Sequence, residues 1–325
     1  MGAILVTGGA GFIGSHLTDR LLADGREVVV LDNFDPFYDA AAKRRNLETA
    51  LTHPRMHLLS GDIREQAAVD AAFDAAPIDA VVHLAARAGV RPSIDDPVLY
   101  ASVNLDGTVR VLEACRRRGV SRFVFGSSSS VYGNNVKAPF AESDPVDHPI
   151  SPYAATKRAG ELLAHTYHHL FGMQVACLRF FTVFGPRQRP DLAIRKFAGL
   201  MVDGREIPVF GDGTTGRDYT YVDDIVDGVV RALDRAASFH IWNLGGAHPV
   251  ILNDLIERLA RGLRRTPQLR RLPPQPGDVE RTWADISRAK RELAWAPATS
   301  FEKGMDSFLA WFEAERRGAG SGRAT

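Results

Sequence analysis

Through the first half of the chain, short apolar runs alternate with stretches whose apolar residues fall three and four apart. Ala3–Val6, Glu27–Leu31, Met56–Leu59, Ala80–His83, Phe123–Phe125 and Val175–Leu178 read as buried strands. Between them, Gly14–Ala23, Ala67–Ala75 and Gly107–Arg118 read as amphipathic helices. Such alternation predicts right-handed crossovers and an α/β fold, a Rossmann-type doubly wound parallel sheet. A late strand-like run, Phe239–Leu244, is expected to return to that sheet.

From about residue 181 the texture changes. Gly-Pro-Arg-Gln-Arg-Pro at 185–190, Phe210–Gly216 and Leu272–Gly277 are loop-like, with helical stretches between them. The expected organisation is a dinucleotide-binding domain over 1–180, completed by about 220–247. A smaller, discontinuous C-terminal substrate lobe would use 181–219 and 248–317, and 318–325 (GAGSGRAT) would be a disordered tail. No internal repeat is evident.

Composition narrows the classes. The 325 residues are 45% hydrophobic and 24% charged, enough to bury a core, and the net charge of +1 argues against a nucleic-acid or membrane-surface partner. No window reaches the roughly 18 apolar residues of a membrane span. The apolar run Ala3–Val6 lacks a basic region before it, so no signal peptide is expected. The two cysteines, Cys115 and Cys177, make no disulfide framework. A reducing, cytoplasmic setting is expected.

The first strand runs into TGGAGFIGSH and then a helix. Gly8, Gly11 and Gly14, with Phe12 and Ile13 between the last two, leave the backbone open to a pyrophosphate at a helix N-terminus. Asp32 ends the second strand, near the roughly 20-residue offset for a carboxylate on the adenosine ribose. It would repel a 2′-phosphate and so favours NAD over NADP, although Lys43, Arg44 and Arg45 temper this. Gly61-Asp62-Ile63 and Leu84-Ala85-Ala86 follow the third and fourth strands, where carboxyl ends meet the cofactor. Asn33 and Phe180 complete the expected NAD contacts.

Ser151-Pro152-Tyr153 is a strong helix start, serine capping and proline at the first helical position. Tyr153 and Lys157 then share one face, where an ammonium favours a phenolate able to act as a base. The run GSSSSVYG at 126–133 follows a strand and lies at the same edge. Extended alternation would place Ser128 and Ser130 on one face and Ser129 on the other.

The glycine loop with Ser128, Tyr153 and Lys157 resembles the extended short-chain dehydrogenase/reductase family, over about residues 2–315. LDNFDPFYD (31–39), HLAARAGVR (83–91), SPYAATK (151–157), LRFFTVFGPRQRPD (178–191) and GRDYTYVDDI (216–225) are similar to nucleotide-sugar 4-epimerases, most of all UDP-glucuronate 4-epimerases. The resemblance implies tightly bound NAD that removes hydride from C4 and returns it to the other face. Tyr153 would be the base, Lys157 would lower its pKa and hold the nicotinamide ribose, and Ser128 would hydrogen-bond the 4-oxygen.

By the same resemblance Arg217 would grip the diphosphate and Asp278 the uridine ribose. Gln275 stands near a second diphosphate arginine of glucose epimerases, and Thr182 replaces their asparagine. Arg189, with Thr182, is the candidate receiver of the C5 carboxylate, with Arg187 and Arg91 as alternatives. Related decarboxylases and dehydratases carry acids where this chain has Ser129 and Ser130, so no elimination or decarboxylation is expected. The competing expectations are a UDP-glucose/UDP-galactose epimerase, accepting N-acetylated sugars or not, and a non-catalytic NAD-binding regulator.

Two further features are set aside. His165 and His169 sit at i,i+4 but show no third ligand, so no metal is expected. Leu163, Tyr167 and Leu170 on that helix read as core or dimer surface, and the resemblance favours a homodimer.

Overall fold

The computed structural model describes residues 2–273 and 279–321. Twelve strands follow in chain order among them: β1 (Ala3–Thr7), β2 (Val28–Asp32), β3 (Met56–Ser60), β4 (Ile78–His83), β5 (Arg122–Ser128), β6 (Gln174–Phe180), β7 (Thr182–Phe184), β8 (Ile207–Phe210), β9 (Gly216–Tyr221), β10 (Phe239–Leu244), β11 (Pro249–Ile251) and β12 (Leu269–Leu272). Seven form one sheet in the order β10-β6-β5-β4-β1-β2-β3, with every neighbouring pair parallel. This is the doubly wound sheet that the alternating pattern predicts.

The inner strands are apolar on both faces because helices cover both. AILVT of β1 and VVVLD of β2 are buried throughout, and separate apolar clusters fill the two sides of the sheet. From β1 the chain winds outward through β2 to β3, then crosses back to β4 on the other side of β1. The crevice at the carboxyl ends of β1 and β4 is therefore the expected ligand site of such a sheet.

The late run Phe239–Leu244 pairs with β6 at the sheet edge. The stretches that read as loops are framed by two small sheets, β11-β9-β7 and β12-β8. A long helix, Phe301–Ser321, closes the described chain. Its backbone continues past Gly318, where the sequence predicts a disordered tail; residues 322–325 of that expectation lie outside the described residues. Among the described residues no helix is long and apolar enough to cross a membrane.

The helix Pro152–Phe171 begins as its sequence predicts: Ser151 Oγ accepts from the Ala154 N–H at 3.1 Å, with Pro152 in the first turn. Gly172, at φ +68°, ends it. The helix lies so close to β5 that a Cβ on Gly160 would stand 2.3 Å from the Phe125 ring. That closeness carries Tyr153 and Lys157 to the carboxyl end of β5.

One local expectation fails. β5 continues through Ser128, and Ser129–Tyr132 then turns as a short 3-10 helix. The Ser128 hydroxyl accepts from the Ser130 N–H at 3.2 Å, a capping bond that starts the turn. Extended alternation stops there: the Ser128 and Ser130 hydroxyls stand 3.1 Å apart, as a shared face predicts, but Ser129 lines the same cavity as both.

Candidate active site

The crevice at the switch point opens into a cleft of about 470 Å³, within the range of small-molecule sites. Its floor is the glycine loop. Gly8 takes φ +74°, and its N–H donates to Leu31 O at 2.8 Å, tying the loop to β2. A Cβ on Gly14 would lie 2.2 Å from Gly8 O and 2.8 Å from Gly9 Cα, so the helix Phe12–Ala23 seats directly on the loop. Gly11 precedes that helix without a side-chain cap, leaving first-turn amides available to an anion.

Asp32 stands at the loop's rim. Its carboxylate accepts from Ala10 N at 3.0 Å and Phe34 N at 2.8 Å. Burial pushes its pKa up, against the charge of Lys43 and these two amides. Lys43 lies over the Tyr38 ring, 4.9 Å from its centroid. Asn33 donates to Asp62 at 2.9 Å, and Arg64 pairs with Asp62 and holds it down to about 2. Phe12, Ile13, Ile63, Leu84, Ala85, Ala86 and Phe180 supply apolar walls to the same cleft. The bare glycine cradle, uncapped helix start and ribose-side carboxylate fit a dinucleotide.

At the other end of the cleft Tyr153 and Lys157 stand one helical turn apart, with Ser127–Ser130 opposite. Lys157 is 5% exposed, its Nζ donates to Gly126 O at 2.6 Å, and burial lowers its pKa to about 8 despite Glu161. Burial holds the Tyr153 phenol above its ordinary value, against the hydrogen bond of Ser128 and the charge of Arg189, which lower it. His83 lies beneath. Thr7 Oγ1 lies 2.7 Å from its Nδ1 and Thr108 Oγ1 3.0 Å from its Nε2, and burial with the Lys157 charge holds it near 3, hence neutral.

The structure separates the arginines that sequence could not rank. Arg189 lines the cleft with Tyr153, Thr182, Ser129 and Ser130. Its Nε and Nη2 hold Asp191 at 3.0 and 2.8 Å. Arg187 lines neither cavity described here; it reaches across to Asp19 at 2.7 Å. Arg91 and Arg217 line a second cavity of about 200 Å³, with Lys196, Phe210 and Tyr219. Arg91 stacks 4.6 Å from the Phe210 ring centroid.

Val90 and Arg91, Arg189 and Asp191, and Leu192 and Ala193 each divide between the two cavities, which therefore share a wall. Gln275 and Asp278 lie outside the described residues.

Three contributors escaped the sequence reading. Arg87 pairs with Asp35 in the cleft wall, and its guanidinium and that of Arg189 lie 4.8 and 5.5 Å from the Phe37 ring centroid. Asn104 sits in a π-helical stretch, Ser102–Asp106; it accepts from Arg87 N and donates to Thr156 Oγ1. Lys196 adds a cation to the second cavity. The stretches HLAARAGVR and NFDPFYD contain Arg87, Asp35 and Phe37, but nothing in their spacing marks these side chains.

Comparison with known proteins gives the family. The model of the NAD dependent epimerase/dehydratase family matches residues 4–245. A UDP-glucuronate 4-epimerase of Thermodesulfobacterium geofontis is 41% identical over 312 residues, covering 96% of both chains. The Bacillus cereus UDP-glucuronic acid 4-epimerase, solved with UDP-glucuronic acid and NAD, superposes with a TM-score of 0.91 at 36% identity, over 96% of this chain and 99% of that one. The Thermotoga maritima UDP-glucose 4-epimerase, solved with UDP-glucose, gives 0.89 at 33% identity, over 97% and 99%. The chain belongs to the NAD dependent epimerase/dehydratase family, within the extended short-chain dehydrogenases/reductases.

Proposed function

We propose that this enzyme epimerises UDP-glucuronate at C4 to UDP-galacturonate, without decarboxylation, and that it is NAD-dependent through the glycine loop and Asp32. The observation that carries the substrate choice is Arg189: among the three candidate arginines it alone shares the cleft with Tyr153, beside the hydroxyls of Ser129, Ser130 and Thr182. A guanidinium and a hydroxyl cluster suit a carboxylate on C5, and the sugar's neutral counterpart needs neither.

NAD, when bound, supplies the acceptor and donor of the C4 hydride. The chain's own residues do the rest. Tyr153 takes the proton of the 4-hydroxyl and later returns it, with Ser128 donating a hydrogen bond to the 4-oxygen as it gains carbonyl character. The Lys157 ammonium stabilises the phenolate. In the second cavity Arg217, Lys196 and Arg91 form a cationic bed for the diphosphate, with Phe210 as a surface for the base. Holding the nucleotide there keeps the 4-keto sugar from leaving while it presents its other face.

The same site explains why carbon dioxide would be retained. Among the described residues lining the cleft the carboxylates are Asp32, Asp35 and Asp62, all committed at the cofactor end. None stands beside Ser129 and Ser130, the positions at which related decarboxylases and dehydratases carry acids. In this reading 1–180 with about 220–247 holds NAD, and 181–219 with 248–317 holds the nucleotide sugar. The enzyme is a cytoplasmic homodimer packed through the helix Pro152–Phe171, where Leu162, Leu170 and Phe171 are exposed.

The test is to incubate the purified enzyme separately with UDP-glucuronate, UDP-glucose and UDP-N-acetylglucosamine and resolve the products. Conversion of UDP-glucuronate supports the reading. UDP-glucose interconversion with UDP-glucuronate unchanged replaces it with the glucose-epimerase reading.

A further inference from the structure

Behind the cleft, one turn beyond Lys157 on the same helix, lies a buried ion pair that the reaction as described does not use. Glu161 is 0% and Arg179 1% exposed. Arg179 donates from Nε and Nη2 to the two Glu161 oxygens, both at 2.9 Å. The same carboxylate accepts from Ser127 Oγ at 2.6 Å and Arg158 Nη1 at 3.1 Å. Arg179 Nη1 also donates to the Tyr132 hydroxyl at 3.0 Å, and Tyr132 donates to Asn243 Oδ1 at 2.7 Å.

The register makes this a crosspiece. Arg179 on β6 is paired with Ser127 on β5 and with Asn243 on β10. The network therefore spans three adjacent strands at their carboxyl ends and clamps them to the catalytic helix. Burying such a pair is costly in a low dielectric, and apolar residues of similar volume often stabilise a fold as well or better. Its position calls for a reason other than stability.

That reason is the strand end it holds. Gly126 O accepts from Lys157 Nζ, and Ser127 Oγ donates to Glu161. Two consecutive residues of β5 are thus stitched to two residues one turn apart on the helix. Ser128 is the next residue, and Tyr153 is one turn back from Lys157. We propose that Glu161 and Arg179 are a positioning pair for the reaction, which through Ser127 fixes the Ser128 hydroxyl beside the Tyr153 phenol. Neither residue lines the cleft, so neither touches the sugar. The inference rests on the epimerase reading for the roles of Ser128 and Tyr153.

The test compares NAD-loaded wild type with the double variant Glu161→Met/Arg179→Met and with Ser127→Ala. The groups facing Tyr153 are Ser128 from β5, Arg189 with Asp191 from the loop beyond β7, Tyr100 across from its ring, and Lys157 on its own helix above His83. None of these is replaced in the variants; the double variant also removes the Glu161 charge that raises Lys157, whereas Ser127→Ala keeps it and reads the Ser128 effect alone. Loosening Ser128 weakens the hydrogen bond that favours the phenolate, so the Tyr153 pKa rises.

The expected result for the double variant is a kcat lowered by roughly 10- to 100-fold, the scale of a small misplacement, with KM for the nucleotide sugar little changed. The acid limb of its kcat profile moves to higher pH, and Ser127→Ala shows a smaller shift in the same direction. A merely structural role would lower the active fraction and scale the profile without moving it. Folded variants with the wild-type acid limb overturn the proposal, and if the double variant fails to fold, Ser127→Ala alone decides by the same criterion. If wild type leaves every UDP-sugar unchanged, the epimerase reading fails. Ultraviolet difference titration of the Tyr153 phenol, each protein against its Y153F form, then still decides on the pair: an upward shift in the variants supports it and an unmoved titration overturns it.

Discussion

Replacing Arg189 with methionine separates the carboxylate substrate from its neutral analogue. Met keeps an unbranched apolar stem and removes the guanidinium, which lies 5.5 Å from the Phe37 ring centroid. A full charge pair at about 4 Å is worth about 4 kcal/mol at the effective dielectric of a protein surface site. Arg189 does not bring a full charge, because Asp191 already occupies Nε and Nη2 at 3.0 and 2.8 Å. Halving the interaction leaves about 2 kcal/mol, in line with hydrogen bonds to charged groups, or about 30-fold in kcat/KM.

The same arginine draws the Tyr153 phenol down, and that effect is common to every sugar. The quantity to measure is therefore the ratio of kcat/KM for UDP-glucuronate to that for UDP-glucose, from initial rates with resolved products. Where UDP-glucose is not turned over, the comparison is made on binding alone, as the ratio of the dissociation constant of UDP-glucose to that of UDP-glucuronate. R189M is expected to lower the ratio about 30-fold, the equivalent of about 2 kcal/mol. Equal losses on both sugars would refute the assignment of Arg189 to the carboxylate.

Three other outcomes follow from the site. Gly14→Ala forces a Cβ to within 2.2 Å of Gly8 O, so the purified variant should lose bound NAD and melt at lower temperature than wild type, by calorimetry. Because burial puts Lys157 near 8, its ammonium is present below that pH and lost above it. Turnover should fall as pH rises through about 8, and a plateau well beyond it would contradict the role given to Lys157. Ser130→Glu places an acid at the sugar end of the cleft, where none stands among the described residues, and should raise the share of decarboxylated by-product from UDP-glucuronate; an unchanged product profile would count against the acid-free argument.

The parts of this account that were legible in the sequence are local ones. The glycine loop, the Ser151-Pro152 cap and the Tyr153/Lys157 spacing each follow from backbone geometry over a few residues, and the apolar runs place the strands because both sheet faces are covered. The serine run departs from its alternation at one point, where a capping bond from Ser130 N to Ser128 ends the strand geometry that alternation assumes. The arginines could not be ranked because their partners are distant or geometric. Arg187 is taken by Asp19, from the first helix, and Arg91 is turned to the second cavity while its neighbour Val90 lines the first. The Glu161–Arg179 crosspiece depends on strand register, which no spacing along the chain reveals.

The central claim is transient oxidation at C4 of UDP-glucuronate with return of the same hydride and retention of the carboxylate. UDP-glucuronate deuterated at C4, incubated with the NAD-loaded enzyme in ordinary water and followed by NMR and mass spectrometry, tests it most directly. The account predicts UDP-galacturonate that keeps the deuterium at C4 and no UDP-pentose. Loss of the label to solvent, accumulation of UDP-pentose, or UDP-glucuronate recovered unchanged would contradict it.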